Sequence, residues 1–330
     1  MIHRAACYGK VATKRKSRRL LRLVAFPYSG RMSSQRLPRF RRVFVPPSME
    51  LTERDCIIIR WVHRHRFLRS SSIIALVKTN SQPILRRLQL LYHHGFLERP
   101  RCQLDYYYRG GSRQIVYGLG DKGAAVLRQA GVPVSQVRWG EKNRAVGRVQ
   151  LEHWLMVSEV MVAIEVACRS NGNQIVTSEQ FIVSGKRPRF RWNVTLTGGT
   201  KLGIAPDRVF ALDYADEDGE SNRAFFFLEA DRGTMPVTRR NLSQTSFLRK
   251  LIAYEATWSQ GIHRSRFGFN RFRVLTVTQS AERLKSLINA CSRLERGHGL
   301  FLFADRTILE KDVFAPLWQT GRGATASIFE

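Results

Sequence analysis

Acidic side chains set into apolar sequence are the first candidates for chemistry in this chain. Gly203-Ile204-Ala205-Pro206-Asp207-Arg208-Val209-Phe210 and Ala224-Phe225-Phe226-Phe227-Leu228-Glu229-Ala230-Asp231 read as two strands of one hairpin. The acidic, Gly-containing segment from Asp216 to Asn222 between them is turn material. Strand side chains alternate between faces, so Glu229 and Asp231 share one face and Leu228 and Ala230 the other. Pairing of the two strands would bring Asp207 across the sheet toward that carboxylate pair. Three carboxylates at one sheet end repel unless a cation sits among them, and hard oxygen ligands of this kind suit Mg²⁺, with Mn²⁺ as a substitute.

The elements that must position these acids follow from the rest of the second half. Leu151, Leu155, Val157, Val162 and Ile164 surround His153, Glu159 and Glu165 at helical spacing. Gln174-Ile175-Val176 is a strand, and Arg187 to Arg191 is a basic loop. A helix is expected from Arg239 to about Trp258, carrying Lys250 and Tyr254. Arg273 to Thr278 is a buried strand, Ala281 to Leu294 an amphipathic helix and Leu300 to Phe303 a last strand. Strands this continuously apolar imply a sheet covered on both faces. His153 reads as a packing or hydrogen-bonded histidine, and Tyr254 as a core or rim residue.

The first half has a different grammar. Pro46-Pro47-Ser48 separates a basic tail, residues 1–48, from a block over 49–133. The tail has no acid before Glu50 and is expected to be disordered alone. Thr52-Glu53-Arg54-Asp55 is a variant capping box opening a helix through Ile57, Ile58, Trp61 and Val62. Ser70-Ser71-Ser72 should cap a second helix, and Thr79-Asn80-Ser81 is the turn. A third helix runs from Gln82 to His94 with Leu85, Leu88, Leu91 and Tyr92 inward. Segments 96–99 and 114–119 are wing strands around a tip at Gly110-Gly111-Ser112-Arg113, and a closing helix starts at Asp121. That order is a winged helix-turn-helix, whose third helix enters the major groove. Arg86, Arg87 and Gln89 on that helix, with Arg109 and Arg113 on the wing, are the candidates for contact with double-stranded DNA. Residues 134–148 read as a linker, and 149–330 as an α/β domain.

Pro206-Asp207 on one strand and Glu229-Ala230-Asp231 on the next resemble the PD-(D/E)XK nuclease-like motif, with Asp231 where the motif has lysine. The wider order adds a basic winged helix, His153 in a helix, Leu228 to Thr234, and Lys250-Leu251 with Tyr254. It resembles the plasmid and mobile-element replication-relaxation family. The resemblance implies a mixed α/β (α+β) architecture: a winged helix followed by a restriction-endonuclease-like domain with a central mixed sheet. It also implies a catalytic set of Asp207, Glu229, Asp231 and Lys250, the last replacing the missing lysine from another element. Glu159 would join Asp207, Glu229 and Asp231 as a helical metal ligand. The implied place of action is the prokaryotic cytoplasm, on plasmid or nucleoid DNA, with replication or conjugation proteins as partners.

Composition bounds the remaining choices. The chain has 330 residues and a formal net charge of +29, which points to a polyanionic partner. A hydrophobic content of 43% supports well-formed cores, and no apolar run is long enough to span a bilayer. Cys7, Cys56, Cys102, Cys168 and Cys291 are scattered and form no paired motif, which argues against a zinc site and a disulfide framework. Three readings stay open at this stage. They are a metal-dependent nicking enzyme, a non-catalytic replication initiator or accessory factor, and a transcription regulator.

Overall fold

Thr52 begins the first helix among the described residues as the sequence requires: its hydroxyl accepts from the Asp55 amide while the Asp55 carboxylate accepts from the Thr52 amide. The computed structural model describes residues 37–107, 114–183, 185–216 and 218–330. Helix α1 (Glu53–His65) leads into strand β1 (Phe67–Arg69), helices α2 (Ser70–Val77) and α3 (Ser81–His93), and strands β2 (Leu97–Glu98) and β3 (Val116–Leu119). β3 lies between β1 and β2, antiparallel to both. Helix α4 (Asp121–Gln129) packs back on α1. Residues 1–36 and 108–113 lie outside the described residues, and with them the wing tip, Arg109 and Arg113.

Three sequence expectations change here. β1 is a strand that the apolar pattern did not announce, because it has only three residues. The inward face of α3 begins at Ile84, which is fully buried, while Leu85 is 38% exposed. The serine run does not cap α2: Arg69 is its N-cap residue, without a side-chain cap, and Ser70 is buried.

The boundaries drawn on either side of this block also move. From the segment expected to belong to the tail, Arg42 donates to the Tyr92 carbonyl at 2.8 Å and to Glu98 Oε2 at 3.0 Å. From the segment expected to be a linker, helix α5 (Trp139–Arg144) sends Arg144 to the same Glu98 oxygen at 3.0 Å. Glu98 is 2% exposed, and a buried carboxylate demands such partners. Both segments are therefore pinned to the block.

Helix α6 (Arg148–Asn171) explains why the described residues from Pro38 onward form one unit. It is apolar on several sides, which marks a helix buried among layers. Leu151 and Leu155 pack with Phe67 and Val116 of the first block. Met156, Val157, Val160, Met161 and Ile164 cover the large sheet.

That sheet has seven strands in the order β12-β11-β10-β9-β8-β7-β4. They are β4 (Gln174–Thr177), β7 (Arg208–Ala215), β8 (Ser221–Asp231), β9 (Arg273–Thr278), β10 (Phe301–Asp305), β11 (Trp318–Thr320) and β12 (Thr325–Ala326). β8, β9 and β10 run parallel, and the outer pairings are antiparallel, so the sheet is mixed and the class is α+β. The alternation of β8 sorts its two faces. Phe226, Leu228 and Ala230 lie under α6, while Phe227 faces helices α7 (Phe247–Ser259) and α9 (Ala281–Cys291). Each buried phenylalanine or leucine among them contributes about 1.5–3 kcal/mol. A two-stranded ribbon, β5 (Trp192–Thr195) with β6 (Lys201–Ile204), and a short helix α8 (Ile262–Phe267) complete the α7 side. The first strand of the expected hairpin is thus two strands, β6 and β7, broken at Ala205-Pro206-Asp207.

Candidate functional site

The break before β7 is the origin of the acidic cleft. Proline has no amide hydrogen to extend a ladder, and the β7–β8 register ends at Arg208 opposite Leu228. Asp207 fills in for the missing strand: its Oδ2 accepts from the Ala230 amide at 2.8 Å. Its Oδ1 lies 3.0 Å from His153 Nε2 on α6. Glu229 and Asp231 leave β8 on the face of α7 and α9, as the alternation requires.

Asp207, Glu229, Asp231, Lys250 and His153 all line one cavity of about 480 Å³, with Arg232 and Met235 at its wall. Four residues singled out in the sequence as one set are thus brought together. Glu159 is not. It pairs with Arg69 at 2.8 Å and with Arg306 at 2.7 Å, outside this cleft, because its position on α6 directs it toward β1 and the segment after β10.

Each acid in the cleft already has its own donors. Glu229 is 2% exposed; Lys250 Nζ donates to its Oε2 at 2.5 Å and Tyr254 Oη to its Oε1 at 2.6 Å. Burial pushes the Glu229 carboxyl above its usual range despite the pull of Lys250. Burial alone would lower the Lys250 ammonium, but Glu229 and Asp207 outweigh it and raise its pKa. The Tyr254 phenol is driven well above its ordinary value by burial and by the Glu229 charge, so it stands as a hydrogen-bond donor. Asp231 is held by Arg283 on α9, from Nε to Oδ2 at 2.8 Å and from Nη2 to Oδ1 at 3.1 Å, and by the Thr278 hydroxyl at 2.8 Å.

All six carboxylate oxygens of Asp207, Glu229 and Asp231 therefore face a protein nitrogen or hydroxyl. A Mg²⁺ ion is held by one or two carboxylates, with waters completing its octahedron. Among the described residues no three His, Cys, Asp or Glu side chains converge as a metal group. As folded, each of these oxygens would have to give up a hydrogen-bond partner to take Mg²⁺ or Mn²⁺. The chemistry of the set is that of a buried polar junction tying β8 to α6, α7 and α9.

Arg283 was not foreseen from the sequence, although a signal existed. Ser280 caps α9 and accepts from the Arg283 amide, which places an arginine in the first turn. The helix dipole disfavours a cation there, so a strong acidic partner was to be expected.

The outward face of α3 is the second candidate surface. Gln82, Leu85, Arg86 and Gln89 recur at i, i+3, i+4 and i+7, opposite buried Ile84, Leu88 and Leu91. Gln82, Leu85 and Arg86 are exposed, and Gln89 is half-buried. Arg86 makes no ion pair among the described residues. Arg87 does not belong to this face. Its guanidinium takes both oxygens of Asp55, which is fully buried, at 2.8 and 2.5 Å, and it also binds the Glu50 carbonyl. Lys78, between α2 and α3, is exposed and stands at φ 50°, ψ 53°, a left-handed conformation usual for glycine.

A family model described as replication-relaxation matches residues 59–271. That span takes in α3 and the acidic cleft apart from Thr278 and Arg283. No curated protein and no solved structure gives a match.

Proposed function

This chain belongs to the replication-relaxation family, and from that premise we propose that it is a double-stranded-DNA-binding factor of plasmid or mobile-element replication or relaxation. It binds as a winged helix-turn-helix protein and needs no metal ion for binding. The observation that carries this reading is the outward face of α3. Ile84, Leu88 and Leu91 fix the helix from behind, leaving Gln82, Leu85 and Arg86 uncovered at its N-terminal half. Recognition helices present that half to base edges in the major groove. An exposed arginine is suited to bidentate contact with guanine, glutamine to adenine, and an apolar side chain to the thymine methyl. Lys78 adds an ammonium beside the start of α3, where a backbone phosphate would sit. The formal charge of +29 supplies the long-range attraction.

In the same reading the acidic cleft is architectural. Its carboxylates are consumed by His153, Lys250, Tyr254, Thr278 and Arg283, and it holds the end of β8 against α6, α7 and α9. The test uses supercoiled plasmid and purified protein. Retardation of the plasmid that is equal in EDTA and in Mg²⁺, with the plasmid left supercoiled, is the expected result. Conversion to nicked circles that requires Mg²⁺ and is lost in Glu229→Gln would replace this reading with a nuclease.

A further inference from the structure

One cluster of cationic groups outside the acidic cleft gathers around a single carboxylate. Helix α1 ends at His65, and Arg66 follows at φ 67°, ψ −51°, a backbone region that side chains with a Cβ rarely occupy. The turn sends the Arg66 guanidinium over the Trp154 ring of α6, 5.0 Å from its centroid. Arg208, the neighbour of Asp207 but on the other side of β7, places its guanidinium 5.6 Å from the same ring. Both border a cavity of about 550 Å³ that His65 and Trp139 also line.

Glu179 is the only carboxylate in that lining, and Arg64, Arg66 and Arg208 all border it. Arg64 is occupied by Glu165 at 2.5 Å. Glu179 acts on Arg208 and Arg64, whereas burial alone acts on Arg66. Arg66 Nε is buried without a hydrogen-bond partner, and so is Nε2 of His65, a side chain only 2% exposed. Buried donors of this kind are costly unless something accepts from them. Burial depresses the basicity of Arg66, Arg208 and His65 alike, and at Arg208 it outweighs the Glu179 charge.

We propose that this cavity binds the phosphoryl group of a nucleotide, held by Arg66 and Arg208 and by His65 with its proton on Nε2, beside the indole of Trp139. Planar guanidinium forks match phosphate oxygens bidentately, and an aromatic wall accommodates a base. The site lies apart from the outward face of α3 and goes beyond the duplex-binding reading. The source of the phosphate is either a free mononucleotide or the 5′-phosphorylated end of a DNA strand.

Isothermal titration of the full chain separates these sources. The probes are dAMP, deoxyadenosine, a 5′-phosphorylated trideoxynucleotide and its 5′-hydroxyl counterpart. Saturable binding of a phosphorylated probe and none of its unphosphorylated partner is expected. Binding of dAMP assigns the site to free nucleotides, and binding of the phosphorylated trinucleotide alone assigns it to strand ends. Arg66→Gly suits the backbone at that position, so it removes the guanidinium without adding strain. It should weaken binding at least about tenfold, with its folding checked by an unchanged melting curve. Arg66→Lys, which keeps charge but not the fork, should fall between it and wild type. Arg86→Ala should leave this binding intact, so failure here and failure of the duplex reading are distinguishable. No saturable heat with either phosphorylated probe, or equal affinity in folded Arg66→Gly, overturns the proposal.

Discussion

At the residue scale, two adjacent arginines on one helix have opposite jobs. Arg86 is exposed, whereas Arg87 neutralises Asp55, a fully buried acid. Arg87→Ala is expected to destabilise the fold by about 3–5 kcal/mol in urea titration, because it strands a buried charge. Arg86→Ala should leave the melting curve unchanged. Tyr254→Phe removes one donor from the buried Glu229 and is expected to cost about 1.5–3 kcal/mol in the same titration. Buried His65 carries a pH signature. Burial, reinforced by the Arg64 and Arg208 charges, holds its pKa well below the ordinary 6.5, so the unfolded chain takes up the proton first. Its contribution to stability is present above about pH 6.5 and is lost as pH falls below that value. A urea midpoint that declines less steeply between pH 7 and pH 5 in His65→Phe than in wild type is the expected observation. Which of two neighbouring arginines turned outward was not legible in the sequence. It depended on the phase of α3, and the choice between Ile84 and Leu85 as first core residue shifts that phase by one position.

At the element scale, local signals read well and long-range partners did not. The Thr52 capping box, the β7–β8 hairpin, β9 and the two-faced alternation of β8 follow from spacing, because each is fixed by residues near in sequence. Asp207, Glu229, Asp231 and Lys250, grouped in the sequence, line one cavity. The sequence did not show that Arg283, more than fifty positions beyond Asp231, would claim that carboxylate. Nor did it show that Glu159 would turn to Arg69 and Arg306. The three acids expected around a cation each have their own partners, delivered by different helices. The α2–α3 turn yields a further prediction. Lys78 sits in a left-handed conformation that glycine adopts without steric cost. Lys78→Gly should therefore change stability by no more than about 1 kcal/mol. It should also lower the slope of log affinity against log salt for duplex DNA by about one, as loss of a phosphate contact requires.

At the scale of the whole molecule, α6 is the common wall. Its Leu151 and Leu155 complete the core of the first block, and its Met156 to Ile164 surface roofs the large sheet. The boundary expected at residue 149, where a helix opens after the linker, falls in the first turn of α6, an element that both sides need. Fluorescence and far-UV circular dichroism are accordingly expected to report one coincident urea transition, whereas two separable transitions would show blocks that fold independently. The charge of +29 predicts duplex affinity that falls steeply with salt. Specificity, in contrast, should rest on the few side chains of the α3 face. The most direct test is fluorescence anisotropy, in EDTA, on a duplex that the wild-type protein has selected from a random pool. Arg86→Ala, folded as wild type, is expected to bind that duplex about tenfold or more weakly while its affinity for unselected DNA barely changes. Equal affinity of the two proteins for the selected duplex would contradict the assignment of α3 as the DNA-reading element.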